Sequence, residues 1–134
     1  MPSGNYLSLD VGTARIGVAI ARGGVRLAHP LTTIPAGDDS YHAIGQIVIQ
    51  EQIDTIIVGY PRNQAGEATQ QTAYSEHFAR ELEAHVSVPI HFQDESLTSR
   101  AAEASLKAHG RAYVKADIDA LAAALILQDY LETL

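Results

Sequence analysis

Five short stretches alternate apolar with polar positions or run wholly apolar, which predicts strands at residues 6–10, 16–21, 25–33, 55–58 and 88–92. The first two flank a turn at 11–15, and Arg22-Gly23-Gly24 predicts a hairpin into the third. Ile56-Ile57-Val58 is uniformly apolar, as suits a strand covered on both faces, and it ends at Gly59. Pro89 stands near the start of the fifth strand. Loops are expected at 35–39 and 60–66. Helical spacing marks residues 40–52, with Asp39 or Ser40 as cap and Ile44, Ile47 and Val48 on the inner face. Further helices are predicted at 68–84, at 99–109 with Gly110 as stop, and at 118–131 with Asp117 as N-cap.

Antiparallel hairpins come first in this order and parallel crossovers follow. That predicts an α/β protein with the ribonuclease H-like layout, a mixed five-stranded sheet with helices on both faces. No repeat, low-complexity tract or linker interrupts the 134 residues, so 1–134 reads as a single domain. The chain has no cysteine, which excludes disulfides, thiolate metal sites and a cysteine nucleophile. No apolar run approaches the roughly 20 residues of a membrane span, and no signal-peptide pattern opens the chain. A soluble, cytoplasmic protein is the expectation.

The net charge of −7 argues against a general nucleic-acid coat. Its distribution changes that picture. Arg15, Arg62, Arg100, Arg111 and Lys115 sit in or beside loops at strand and helix ends, while Glu67, Glu76, Glu81, Glu83 and Glu132 fall on solvent faces of helices. Bound divalent ions would further reverse the local sign around a carboxylate cluster.

Three acids lie where α/β sheets carry chemistry. Asp10 ends the first strand ahead of Gly12, Glu95 follows the fifth strand, and Asp119 opens the last helix beside Ala120, Ala122, Ala123 and Ala124, which permit close packing. Carboxylates suit hard cations such as Mg²⁺, and ions so held activate water and stabilise the leaving oxygen of a phosphodiester. Each acid also has an ordinary explanation: a turn former at 10, a solvated glutamate at 95, a helix-start acid at 117 or 119. Asp117 and Asp119 are two residues apart, so one caps while the other faces the site; Asp119 is assigned to the site. The loop from Gly59 to Gly66 offers Arg62 and Asn63 for a phosphate or a base edge. Thr98 and Ser99 suit the cap of the following helix, with Thr98 also on the substrate side. Arg100 either reaches back to a phosphate or pairs with Glu103, and Lys115 is placed to steer substrate. The six histidines show no metal-ligand spacing, and the tyrosines are read as packing.

Four segments together resemble the YqgF/RuvX family of Holliday junction resolvase-like proteins, also described as pre-16S rRNA nucleases. They are Leu9-Asp10-Val11-Gly12-Thr13-Ala14-Arg15-Ile16-Gly17-Val18-Ala19, Val58-Gly59-Tyr60-Pro61-Arg62-Asn63-Gln64-Ala65-Gly66, Asp94-Glu95-Ser96-Leu97-Thr98-Ser99, and the run from Asp117 to Gln128. The resemblance implies a ribonuclease H-like fold with Asp10, Glu95 and Asp119 as catalytic, metal-binding acids for Mg²⁺ or Mn²⁺. It implies a metal-dependent nuclease in 5′-end processing of precursor 16S rRNA. The alternatives are a junction-resolving DNA endonuclease and an RNA-binding assembly factor of weak activity. Nucleic acid and a ribosomal subunit precursor are the implied partners, with no membrane, for a monomer or a homodimer; cutting a four-way junction symmetrically requires the dimer. Two departures remove positive charge near the site: Ser96 and Ala14 stand where the family usually carries basic residues. The Asp-x-Gly-Thr pattern also opens the phosphate loop of actin-like ATPases, which need two such lobes where this length supplies one.

Overall fold

A computed structural model describes residues 4–61, 65–94 and 115–134, the last segment with side chains from Ile118 onward. Five strands, β1 (Tyr6–Val11), β2 (Arg15–Ala21), β3 (His29–Pro35), β4 (Thr55–Tyr60) and β5 (Ile90–Asp94), form one sheet in the order β3-β2-β1-β4-β5. β1–β2 and β2–β3 pair antiparallel, whereas β1–β4 and β4–β5 pair parallel. The helices are α1 (Asp39–Gln50), α2 (Gln70–Leu82) and α3 (Lys115–Leu131). The expected helix at 99–109 lies outside the described residues.

Strand alternation assigns the two faces. Leu7, Leu9 and Val11 of β1 and Ile16, Val18 and Ile20 of β2 join Ile44 and Val48 of α1 and Phe78 and Leu82 of α2 in the main core. The intervening positions meet α3: Ala21 and Ile57 pack with Ile126, Leu127 and Leu131, and Ala19 packs with Ala123 and Ala124. Helices thus cover both faces, as the element order predicts.

Boundaries moved where local chemistry differs from pattern. β3 begins at His29 rather than 25, because Val25 and Leu27 stay half-exposed beyond the turn at Gly24 (φ 81°), and it runs on through Pro35. Proline is tolerated there because, among the described residues, β3 pairs only with β2 and its outer side needs no ladder donor. β5 starts after Pro89, two residues later than expected. Thr69 caps α2, its hydroxyl accepting from the Thr72 N–H while the Thr72 hydroxyl accepts from the Thr69 N–H. Asp38, not Asp39 or Ser40, is the N-cap position of α1, and its side chain makes no cap bond; Ser40 lies inside the first turn and donates to the Gly37 carbonyl. α3 starts at Lys115, so Lys115 is helical rather than in a loop, and Asp117 belongs to the first turn instead of capping it.

The end of the sheet where β1 and β4 begin is tied by Asn5. Its amide donates to the carbonyls of Glu51 and Gln52 after α1, and its Oδ1 accepts from Gly23 N. Gln52 (φ 56°) closes α1 with the Ile53 N–H donating to the Val48 carbonyl and the Gln52 N–H to that of Ile49.

Candidate active site

The turn from β1 to β2 places Asp10 at the carboxyl end of its strand. Gly12 N donates to the Arg15 carbonyl at 3.0 Å, and a Cβ on Gly12 would lie 2.6 Å from that oxygen, so the turn closes around a residue without a side chain. Asp10 follows Ser8 on the α3 face of β1, and its cross-strand partner on β2 is Gly17.

Gly17 is where α3 comes down. A Cβ there would sit 1.9 Å from the Asp119 carbonyl oxygen and 2.9 Å from Ala120 N, so backbone of α3 occupies the volume of the missing side chain. One turn further, the buried Ser8 hydroxyl donates to the Ala123 carbonyl at 2.7 Å. Four helical residues rise about 6 Å. Two strand residues rise about 6.6 Å. The Ser8 contact at Ala123 therefore predicts the Asp10 level of the sheet at Asp119, where the Gly17 contact independently puts it. Both acids share one corner.

Arg15 joins them from the start of β2. Its Nε donates to Asp119 Oδ2 at 2.7 Å in an ion pair whose side chains are 36% and 26% exposed. This guanidinium, read from the sequence as a substrate contact, is held at the acid corner by Asp119. The first turn of α2 braces the same sheet edge: Gln71 Nε2 donates to the Val11 carbonyl at 2.9 Å, and the Thr72 hydroxyl donates to that of Pro61.

Glu95, Arg62, Asn63, Thr98 and Arg100 lie outside the described residues, as does the Lys115 side chain. Asp94, the neighbour of Glu95, ends β5 opposite Tyr60, two strands from β1 on the same edge. Among the described residues no group of three His, Cys, Asp or Glu side chains is assembled. The donor set that is described, two carboxylates, fits a hard divalent cation. Ser8 and Gly17 are the positioning residues that motif reading passed over. A serine between Leu7 and Leu9 and small residues at 17, 19 and 21 are the signals that mark them.

Comparison with known proteins follows the same line. A family model described as RuvX, Holliday junction resolvase, matches residues 4–133. A Chloroflexus aurantiacus protein named "Putative pre-16S rRNA nuclease" is 46% identical, the match covering 94% of this chain and 85% of that one. RuvC of T. thermophilus, solved in complex with a Holliday junction substrate, superposes with TM-score 0.59 at 14% identity over 97% of this chain and 94% of its own. The fowlpox virus Holliday junction resolvase gives TM-score 0.55 at 14% identity over 97% and 99%. The likeness to these two structures is one of fold, the ribonuclease H-like sheet predicted from element order.

Proposed function

The chain belongs to the RuvX family, and on that premise we propose that it is a divalent-metal-dependent nuclease that hydrolyses a phosphodiester in 5′-end processing of precursor 16S rRNA. The observation that carries this is the seating of α3 on Gly17, which brings Asp119 to the corner of Asp10. The names of sequence relatives such as that of Chloroflexus aurantiacus supply the substrate.

Asp10, Asp119 and Glu95 would hold Mg²⁺ or Mn²⁺, and the ion supplies Lewis acidity for attack of water on phosphorus and for departure of the ester oxygen. The residues of the chain do the rest. Arg15 balances the charge of Asp119 and would present its guanidinium to the phosphate. Arg62, Asn63, Thr98, Arg100 and Lys115, the further substrate contacts that the sequence offers, would bind the backbone of the nucleic acid. Among the described residues no helix is long and apolar enough to cross a membrane. The work proposed belongs in the cytoplasm, on a ribosomal subunit precursor, and a single cut requires only one copy of the chain.

The test is cleavage of a labelled precursor-rRNA leader and a four-way DNA junction in Mg²⁺ or Mn²⁺. Asp10→Asn and Asp119→Asn are each expected to lower metal-dependent cleavage on the order of a thousandfold, as loss of several kcal/mol of charge stabilisation requires. A chelator should abolish it. Cutting of the junction alone, by a dimer, would replace the RNA reading with the junction-resolving one.

A further inference from the structure

On the sheet face opposite Asp10, the ends of β4 and β5 form a cleft of about 390 Å³ lined by Tyr60, Glu76, Phe92, Gln93 and Asp94. Its position follows from strand parity. Ile56, Val58 and Ile90 pack in the core beneath α1 and α2, so Tyr60, Phe92 and Asp94 continue along that face to the carboxyl edge. Phe92 is 42% exposed there, an unusual place for a large apolar ring. Tyr60 meets it at a centroid distance of 5.1 Å and 65°, edge against face, which fixes the pair and leaves ring surface open to the cleft.

The wall chemistry narrows the occupant. Two carboxylates, Glu76 and Asp94, offer oxygens that accept hydrogen bonds from N–H donors. A planar π-face with donors on its edge meets all of these at once. We propose that this cleft takes an unpaired nucleobase of the strand being cut, stacked on Phe92, with its amino and imino N–H groups on the carboxylates. The proposal rests on the nuclease reading. β5 lies two strands from β1, roughly 10 Å, which puts the captured base within a few nucleotides of the cut. A paired base has its edge occupied, so the cleft selects single-stranded flanks. Guanine, with adjacent N1–H and N2–H₂ donors, is the best fit, and uracil, whose carbonyls would face the carboxylates, the worst.

The test is titration of the protein with GMP or UMP, followed by the ring resonances of Phe92 and Tyr60. GMP is expected to shift both rings and to bind at least fivefold more tightly than UMP. Phe92→Leu, which keeps an apolar side chain at an exposed position, should weaken GMP about tenfold, as loss of a stacking face predicts. Glu76→Gln should narrow the GMP preference and keep the ring shifts. Rings unmoved by either nucleotide, or Phe92→Leu cleaving RNA with unchanged KM, would overturn the subsite while leaving the nuclease reading intact. Ring shifts selective for GMP in a protein that cleaves nothing would uphold the cleft and remove the nuclease reading.

Discussion

Gly17 has no side chain, and α3 uses the space one would fill. A methyl group there meets main chain rather than a flexible side chain, so relief requires the whole helix to move. Gly17→Ala is expected to cost at least the 1–3 kcal/mol, roughly, of an overpacked core, measured by urea unfolding. It should weaken Mn²⁺ binding in parallel, because Asp119 moves with the helix. Gln52 is the converse case, a side chain where none is wanted: its φ of 56° is the left-handed region. Gln52→Gly should stabilise the protein by about 0.5–1 kcal/mol in the same assay, relief of strain outweighing the added chain entropy. Activity should be unchanged, since Gln52 lies at the opposite end of the sheet from Asp10. Neither effect is legible along the chain. The glycine at 17 belongs to a recognisable segment, but what it accommodates is supplied by residue 119.

At the scale of elements, legibility follows how many neighbours an element has. β1, β2 and β4 are flanked on both sides, and their apolar pattern located them to within a residue or two. β3 pairs on one side only and is largely exposed, so its sequence keeps neither alternation nor freedom from proline, and its start was misplaced. α3 is mostly apolar or alanine and is buried or half-buried from Ile118 on, so its amphipathic signal is weak; its start is read from Asp117 when the helix already includes Lys115. The placement of Asp10 at a strand end and of Asp119 near a helix start was legible because such ends are; the cleft at Tyr60 and Phe92 was not, because two strands distant in sequence make it. The α2 cap gives a test at this scale. Thr69→Ala should cost about 1 kcal/mol in urea unfolding. It should also loosen the sheet edge that Gln71 and Thr72 brace, read as faster amide exchange at Gly59 and Tyr60.

The whole molecule carries a charge of −7, and on the function proposed its binding to RNA has to work against that field. Four candidate cations, Arg15, Arg62, Arg100 and Lys115, predict a slope of log K against log salt of about −3 for a single strand. A much steeper slope would mean that other basic residues carry the contact. Alkaline pH probes the fold instead. Burial, with smaller contributions from Glu81, Tyr74 and Asp38, raises the pKa of Tyr41 above its ordinary 10.0, and burial followed by Tyr6 raises that of Tyr130. Above pH 10 the unfolded chain releases these protons first, so stability present below that pH is lost as pH rises. Tyr41→Phe, which keeps the ring stacked on His85, should flatten the fall in Tm between about pH 9.5 and 11.

The contact that completes the corner joins residues 104 apart, Arg15 and Asp119, and the serine that helps seat the helix reaches 115 residues to Ala123. Such closures form late, since the entropy of bringing distant segments together must be met before they contribute anything. A chain still being synthesised therefore carries Asp10 long before it has Asp119. On the function proposed, the protein cannot cut RNA while it is itself being made, and it becomes a nuclease only when its last helix docks.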